Sequence, residues 1–429
     1  MDIFIKSGRL INPKSNCDKI VNIGIKDGKI SYIGNDDIAA SEIVDANGLI
    51  VTPGLIDIHT HLREPGREDK ETIKTGTMAA AKGGFTTILC MPNTFPVIDH
   101  GTLVEFIILK ARREGLVNVF PIGAATRRLE GNELAEIGEM IELGALAISD
   151  DGAPVMNSGL MRRLMNYTKM FKVPVISHCE DVMLSLDGVV NEGIVSTVLG
   201  LQGIPAASEE VMVAREIILC EDTDCPIHIA HVSTKGSVEL IKRAKEKGLK
   251  LTCEVTPHHF TLTEEAVLNF DTNTKMKPPL RTKEDVIAIK NAIKEGIIDV
   301  IATDHAPHSQ AEKECEYGIA SFGIIGLETA LPLVLTELVE KEGISLMQVI
   351  SMLTNKPAEI VNIDKGNIEV GKDADITIID LNKEFLVDIN KFVSKSKNSP
   401  FNGWKLKGDV FATIVNGKIV FKEGDMIKR

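Results

Sequence analysis

From Pro53 to about residue 305 the chain alternates short runs rich in β-branched and apolar residues with longer stretches whose apolar positions recur every three or four residues. The short runs read as buried strands and the longer stretches as amphipathic helices, the pattern of parallel strands joined by crossover helices. Eight strand candidates stand out: Leu55 to His59, Phe85 to Leu89, Val117 to Gly123, Ala145 to Ser149, Val173 to His178, Ile227 to His231, Leu249 to Val255, and Asp299 to Thr303. Helices are predicted between them, among them Glu71 to Lys82, Leu103 to Glu114, Glu209 to Cys220, Ser237 to Lys247, and Lys283 to Lys294. Eight such units predict an α/β chain closed into a (β/α)8 TIM barrel. A doubly wound open sheet competes, but it usually carries a Gly-rich phosphate loop after its first strand, and none follows His61.

The two ends follow a different rhythm. Residues 1–52 and 366–429 alternate with period two and carry Asp27-Gly28 and Asn416-Gly417, pairs that favour tight type I′ hairpin turns. They predict one small composite β-sandwich domain built from both termini, with residues 53–365 forming the barrel. A chain of 429 residues is long enough for a large core and a smaller one.

Composition narrows the partners. A net charge of −13 and the lack of any Lys/Arg-rich run argue against nucleic acid and against an anionic membrane surface, leaving a small molecule as the expected partner. No run of about eighteen apolar residues occurs, and Met1 to Lys6 lacks a basic segment followed by an apolar signal core, so a cytoplasmic protein is expected. The seven cysteines are odd in number and include no C-x-x-C pair, which predicts reduced thiols rather than disulfides or a thiolate metal site. Trp404, the only tryptophan, reads as packing.

The polar residues that carry chemistry sit at the ends of the predicted strands, where a barrel of this kind places its active site. In Asp57-Ile58-His59-Thr60-His61-Leu62-Arg63 the two histidines are two apart and project to one side of an extended strand; Arg63 shares their parity. Asp150-Asp151 ends strand four, His178 strand five, His231 strand six and Asp304 strand eight. Each alone has a plainer explanation, an Asp as a helix cap or a His bonded within the core. Four histidines and two aspartates converging on one barrel mouth make an N/O donor set suited to two zinc ions. One ion would take His59, His61 and Asp304, the other His178 and His231, and an anion must bridge them. Either Asp150 or Asp151 can supply it, and only one of two adjacent residues can point inward. No lysine lies between Leu143 and Asp151, so a carbamylated lysine is excluded from that strand. His228 falls on the opposite face from His231 and reads as structural, as does His305 beside Asp304; His100 reads as a loop residue. His258 and His259 suit either support of the site or packing, and His308 is placed to reach a bound anion.

Several segments together carry a family resemblance: Pro53-Gly54-Leu55-Ile56-Asp57 with His59, His61 and Arg63; Gly84-Phe85-Thr86-Thr87 with Met91-Pro92-Asn93-Thr94; Ser149-Asp150-Asp151-Gly152; Ala302-Thr303-Asp304-His305-Ala306-Pro307-His308; Ser321-Phe322-Gly323 with Gly326-Leu327-Glu328-Thr329; and Gly371-Lys372-Asp373-Ala374-Asp375. Over essentially its whole length the chain resembles bacterial class I dihydroorotases of the amidohydrolase superfamily. The resemblance implies metal binding by His59, His61, Asp151, His178, His231 and Asp304, with Asp151 rather than Asp150 as the bridge. It implies substrate contacts from His61, Arg63, Asn93 and His308 and from the backbone of Phe322 and Gly323, with Asp304 as the catalytic proton carrier. The implied reaction is the reversible, zinc-dependent cyclisation of N-carbamoyl-L-aspartate to (S)-dihydroorotate in pyrimidine (UMP) biosynthesis. It leaves two macromolecular partners open, a second copy of the chain and aspartate transcarbamoylase.

One position departs from the family pattern. Where an asparagine is usual among the substrate contacts, this chain has Lys277 within Met276-Lys277-Pro278-Pro279. Lysine has no carbonyl to accept a ring N–H, although its ammonium can pair with an anion. The rival enzyme reading is another cyclic amidase, a hydantoinase or allantoinase, of which hydantoinases typically carry the bridging lysine that strand four lacks. A non-catalytic scaffold for aspartate transcarbamoylase would be expected to have lost ligands, and none is lost.

Overall fold

The structure, a computed structural model, describes residues 1–427. Its centre is a ring of parallel strands. Leu55–Thr60, Phe85–Cys90 and Asn118–Pro121 pair in order, and the third strand resumes after Ile122 as Gly123–Ala124. From there the order runs Ile148–Ser149, Val175–Ser177, Ile227–Ile229, Leu251–Val255 and Val300–Ile301. A bridge between Thr60 and His305 joins the last strand to the first, and the His61 amide donates to the His305 carbonyl at 2.8 Å. The ring is a closed (β/α)8 barrel.

Side chains alternate across each strand, which gives the barrel two apolar layers. Ile56, Ile58, Leu89, Ile122, Ala147, Ile176, Ala230 and Val300 fill the inside. Leu55, Phe85, Ile88, Ile148, Val175, Ile227, Ile229 and Ile301 pack outward against the helices. Helix starts follow local chemistry: the hydroxyls of Thr72, Thr234 and Thr282 cap Ile73–Lys82, Lys235–Glu246 and Lys283–Lys294 by accepting from amides three residues on. The helix expected from Glu209 runs instead over Ala207–Thr223, and residues between it and strand five form two short helices and a two-stranded pair, Val190–Asn191 with Gly203–Ile204.

A nine-stranded sheet draws on both ends of the chain. It joins Ile3–Asn12, Cys17–Lys26, Lys29–Gly34, Glu42–Asp45 and Ile50–Pro53 to Ile376–Leu386, Lys405–Val415, Lys418–Lys422 and Asp425–Met426. The two halves meet where Ile50–Pro53 runs antiparallel to Ile376–Leu386. The sheet folds over one core in which Ile5, Ile23, Ile25, Val44 and Val51 meet Ile376, Ile378 and Ile414, giving the small β-sandwich. Asp27 and Gly28 take φ of 51° and 76°, and Asn416 and Gly417 take 47° and 73°, the left-handed pairs that a type I′ hairpin requires.

Several barrel strands stop earlier than the apolar runs suggest. Beyond the last paired residues the backbone turns left-handed, at His231 (φ 31°) after Ile229, at Asp304 (φ 47°) after Ile301, and at Arg63 (φ 62°) past the end of strand one at Thr60. These are residues at the mouth, so the turn that follows the ladder also re-aims the side chain. Arg63 therefore does not share the strand parity of His59 and His61 expected for it: the strand ends at Thr60, and Arg63 reaches the site from a loop.

Candidate metal centre and active site

The strand ends bring six donors together. His59 Nε2 lies 3.4 Å from Asp151 Oδ1 and 3.5 Å from Asp304 Oδ1. His61 Nε2 lies 3.4 Å from Asp151 Oδ2 and 3.0 Å from Asp304 Oδ1. On the other side His178 Nδ1 and His231 Nε2 are 2.7 Å apart, and each is 3.6 Å from Asp151 Oδ1. Two groups able to hold a cation result, His59 with His61 and Asp151, and Asp151 with His178 and His231. Asp151 belongs to both. Its Oδ1 and the Nε2 of His59 are buried with no hydrogen-bond partner, and buried polar atoms left so are rare unless an ion or water completes them. The donor set therefore fits a metal. The histidines hold the Asp151 carboxyl well below the usual carboxylate range despite its burial, and they do the same to Asp304.

Adjacent Asp150 faces away. Its Oδ1 accepts from the amides of Ala125 (2.7 Å) and Thr126 (3.0 Å), and its Oδ2 from the Thr126 hydroxyl. It ties strand four to strand three, and burial pushes its carboxyl up to about 6.

Behind the donors stand residues that hold them in place. Fully buried Glu254, on strand seven, lies 2.6 Å from His59 Nδ1 and 3.1 Å from His228 Nε2, while His228 Nδ1 reaches the Thr252 hydroxyl at 2.8 Å. Accepting the Nδ1 proton fixes the His59 tautomer and turns Nε2 toward the centre, the usual support for a metal-ligating imidazole. Asn93 Oδ1 does the same for His61 Nδ1 at 2.9 Å, and Glu180 Oε2 stands 3.0 Å from His178 Nε2. Burial opposes charge on His178, but Asp151 and Glu180 outweigh it and lift its pKa to about 9. Asp57 accepts from the Thr303 hydroxyl at 2.5 Å and from the His59 amide at 3.0 Å, locking strand one to strand eight. Its own burial raises its pKa to about 7. Sequence reasoning passed over Glu254 and Glu180. An acid inside an otherwise apolar strand was the available signal for Glu254, and the spacing of two from His178 the signal for Glu180.

The residues expected to meet substrate lie on the loops around this centre. Arg63 Nε donates to the Pro307 carbonyl at 3.1 Å, and its terminal nitrogen is 3.4 Å from His308 Nε2. Burial lowers the Arg63 pKa to about 10, still far above neutrality, so the guanidinium keeps its charge. His308 Nε2 is 2.7 Å from the Phe322 carbonyl; burial and the Arg63 charge bring its pKa down to about 3, leaving it neutral. Gly323 has φ 133°, and an added Cβ would lie 2.7 Å from that of Ala306 and 3.1 Å from His308 Nε2, so only glycine lets the loop close on His308. The Gly323 amide already donates to the Lys275 carbonyl at 2.9 Å and its carbonyl accepts from Asn398 at 3.1 Å. Lys277 points to Glu180, 2.7 Å away, with its ammonium 4.9 Å above the Phe322 ring. His305 turns from the centre to Glu71 and the Gly326 amide. His259 bonds Thr256 and the Pro278 carbonyl, and burial depresses the pKa of both His258 and His259. His100 precedes the helix Gly101–Glu114 without its side chain capping it, its ring lying 2.8 Å from Asp99.

A parallel barrel with clustered His and Asp donors at the C-terminal mouth, flanked by a β-sandwich, defines a metal-dependent amidohydrolase. A family model described as Dihydro-orotase-like matches residues 48–237, and one described as Amidohydrolase family matches residues 219–421. The dihydroorotase of Acetivibrio thermocellus is 54% identical over 98% of this chain and 99% of its own length. That of Pelotomaculum thermopropionicum is also 54% identical, over 99% of both chains. Among solved structures, the L-hydantoinase (dihydropyrimidinase) of Arthrobacter aurescens superposes with a TM-score of 0.88 at 27% identity, covering 100% of this chain and 97% of its own. The chain belongs to the dihydroorotase family.

Proposed function

We propose that the protein is a dihydroorotase, interconverting N-carbamoyl-L-aspartate and (S)-dihydroorotate in pyrimidine biosynthesis, with two zinc ions sharing Asp151. The observation that carries the site reading is that two donor groups share one buried carboxylate beside a charged arginine. Zinc held there would supply an activated water and polarise the ring carbonyl. Asp304 takes the proton of the attacking water and passes it to the ring nitrogen as the C–N bond breaks. Ring closure runs the same transfers backwards. Arg63 and the Asn93 amide nitrogen hold the substrate carboxylate, with His308 Nε2–H exchanging the Phe322 carbonyl for it when substrate binds. Charge-assisted contacts of about 1.5–3 kcal/mol each are enough to prefer an anionic ring over a neutral one. A hydantoinase is the competing reading, suggested by the solved structures; the shared carboxylate of Asp151 and the absence of lysine between Leu143 and Asp151 favour dihydroorotase.

Arg63→Met is expected to raise the KM for dihydroorotate by more than tenfold, about 1.4 kcal/mol, while metal content stays at the parent level. Steady-state kinetics with dihydroorotate and with an unsubstituted hydantoin, alongside elemental analysis, checks this. An unchanged KM, or a hydantoin turned over as well as dihydroorotate by the parent, would remove the ground for the carboxylate site.

The proposed setting is a reducing cytoplasm, supported by seven unpaired cysteines; no helix among the described residues is long and apolar enough to cross a membrane. The proposed assembly is a homodimer. Met183 (72% exposed), Leu186 (59%), Ile194 (80%) and Val198 (70%) are exposed along the segment between strand five and its helix, and this concentration of exposed apolar residues in one stretch of chain supports an interface there. Sedimentation at micromolar concentration should find a dimer. A monomer would leave that segment for aspartate transcarbamoylase, the other partner the family suggests.

A further inference from the structure

Three of the four histidines at the metal centre have an oxygen behind the nitrogen that faces away from Asp151. For His61 it is the neutral amide of Asn93, while His59 and His178 have carboxylates, Glu254 and Glu180. A buried carboxylate needs a donor on its other oxygen as well, because an unsatisfied charged group in the interior is costly. Glu254 has His228 on its second oxygen at 3.1 Å. Glu180, with a side chain 10% exposed, has Lys277 on its second oxygen at 2.7 Å. Lys277 thus stands to His178 as His228 stands to His59. Its ammonium is further confined by the Phe322 ring. An asparagine in its place would offer Glu180 a neutral amide on a shorter side chain and no counter-charge.

We propose that Lys277 is a positioning residue whose ammonium holds Glu180 on His178 Nε2, and that the pair thereby sets how tightly the Asp151, His178 and His231 group retains its metal ion. This rests on the metal-centre reading above. Glu180 accepts the Nε2 proton, so the lone pair stays on Nδ1, the atom that lies toward His231 and Asp151. Without Lys277 the Glu180 carboxylate is drawn toward solvent or other cations, and His178 loses the constraint on both its tautomer and its ring angle. The lysine then acts through the metal ligand instead of touching substrate.

The test uses the full-length protein and zinc alone. Zinc stoichiometry and competition with a chromophoric chelator are measured for the parent, Lys277→Asn, Lys277→Arg, Glu180→Gln, and the double variant Lys277→Asn/Glu180→Gln, with thermal unfolding as a check on folding. Outer partners of metal ligands typically change affinity by about 10–100-fold, so Lys277→Asn should weaken one of two zinc equivalents by at least about tenfold and leave the other unchanged. Lys277→Arg should retain both. The double variant should be no weaker than Glu180→Gln alone, because the lysine acts only through that carboxylate. Equal retention of both equivalents in Lys277→Asn would overturn the proposal. So would the same additional loss from Lys277→Asn with and without Glu180→Gln, or a tenfold rise in the KM for dihydroorotate at unchanged zinc affinity, which would make Lys277 a substrate contact. If Lys277→Asn does not fold, Glu180→Gln carries the same expectation of one weakened equivalent. A parent that binds no zinc would instead overturn the metal reading itself.

Discussion

Asp304→Asn is expected to slow both ring opening and ring closure by at least about a hundredfold, the lower range for loss of a positioned acid–base group. The substitution is nearly isosteric and leaves an oxygen able to sit where Oδ1 now sits, 3.0 Å from His61 Nε2 and 3.5 Å from His59 Nε2. It removes the one capacity the reaction needs at that point, taking up a proton and giving it back. The left-handed backbone at residue 304 is tolerated by Asn as readily as by Asp, so the fold should not change. Direction and pH are coupled as well. Ring opening creates a new carboxyl group whose ionisation draws the equilibrium toward N-carbamoyl-L-aspartate as pH rises, while closure consumes the protonated acid. Opening requires Asp304 ionised and closure requires it protonated, and the neighbouring histidines hold its carboxyl well below the usual range. From mildly acidic to mildly alkaline pH, opening should therefore lose nothing through Asp304, whereas closure should slow steadily as pH rises. Assays of both directions over that range check the relay: parallel profiles in the parent, or near-normal turnover by Asp304→Asn, would sink it.

Much of this arrangement is legible in the sequence because it is local. Strand periodicity and strand-end chemistry place His59, His61, one of Asp150 and Asp151, His178, His231 and Asp304 on one rim without knowledge of how the strands neighbour each other. Asp27-Gly28 and Asn416-Gly417 announce their hairpins for an equally local reason, since few residues accept two successive left-handed conformations. What escapes is set across strands. Glu254 matters because strand seven lies beside strand six, which puts its carboxylate between His59 and His228; nothing in Leu251–Val255 alone specifies those partners. The contact of Lys277 with Glu180 likewise joins residues 97 positions apart. Arg63 shows the limit of a period-two argument: parity holds only while the strand does, and the chain leaves the strand after Thr60. The choice between Asp150 and Asp151 needed either a family pattern or coordinates, because adjacent strand residues are equivalent until the inward face is known.

That choice supports the other large expected effect. Asp151→Ala should lose metal and activity together, with turnover falling by more than about a hundredfold, beyond the range seen when only an outer partner of a metal ligand is removed. Both donor groups contain Asp151, so truncation leaves one with two imidazoles and Asp304 and the other with two imidazoles alone. It also removes the negative charge between two cation sites, leaving any bound ions to repel each other across the gap. Asp150→Ala supplies the contrast. It strips the Ala125 and Thr126 amides of their acceptor and should lower the unfolding temperature, since leaving buried donors unpaired costs about 1–3 kcal/mol, yet it takes no oxygen from the metal centre. Elemental analysis, turnover and thermal unfolding on the two variants separate the roles. Two tightly held ions in a folded Asp151→Ala would show the bridge to be assigned wrongly, and metal lost from a folded Asp150→Ala would pass the role to its neighbour.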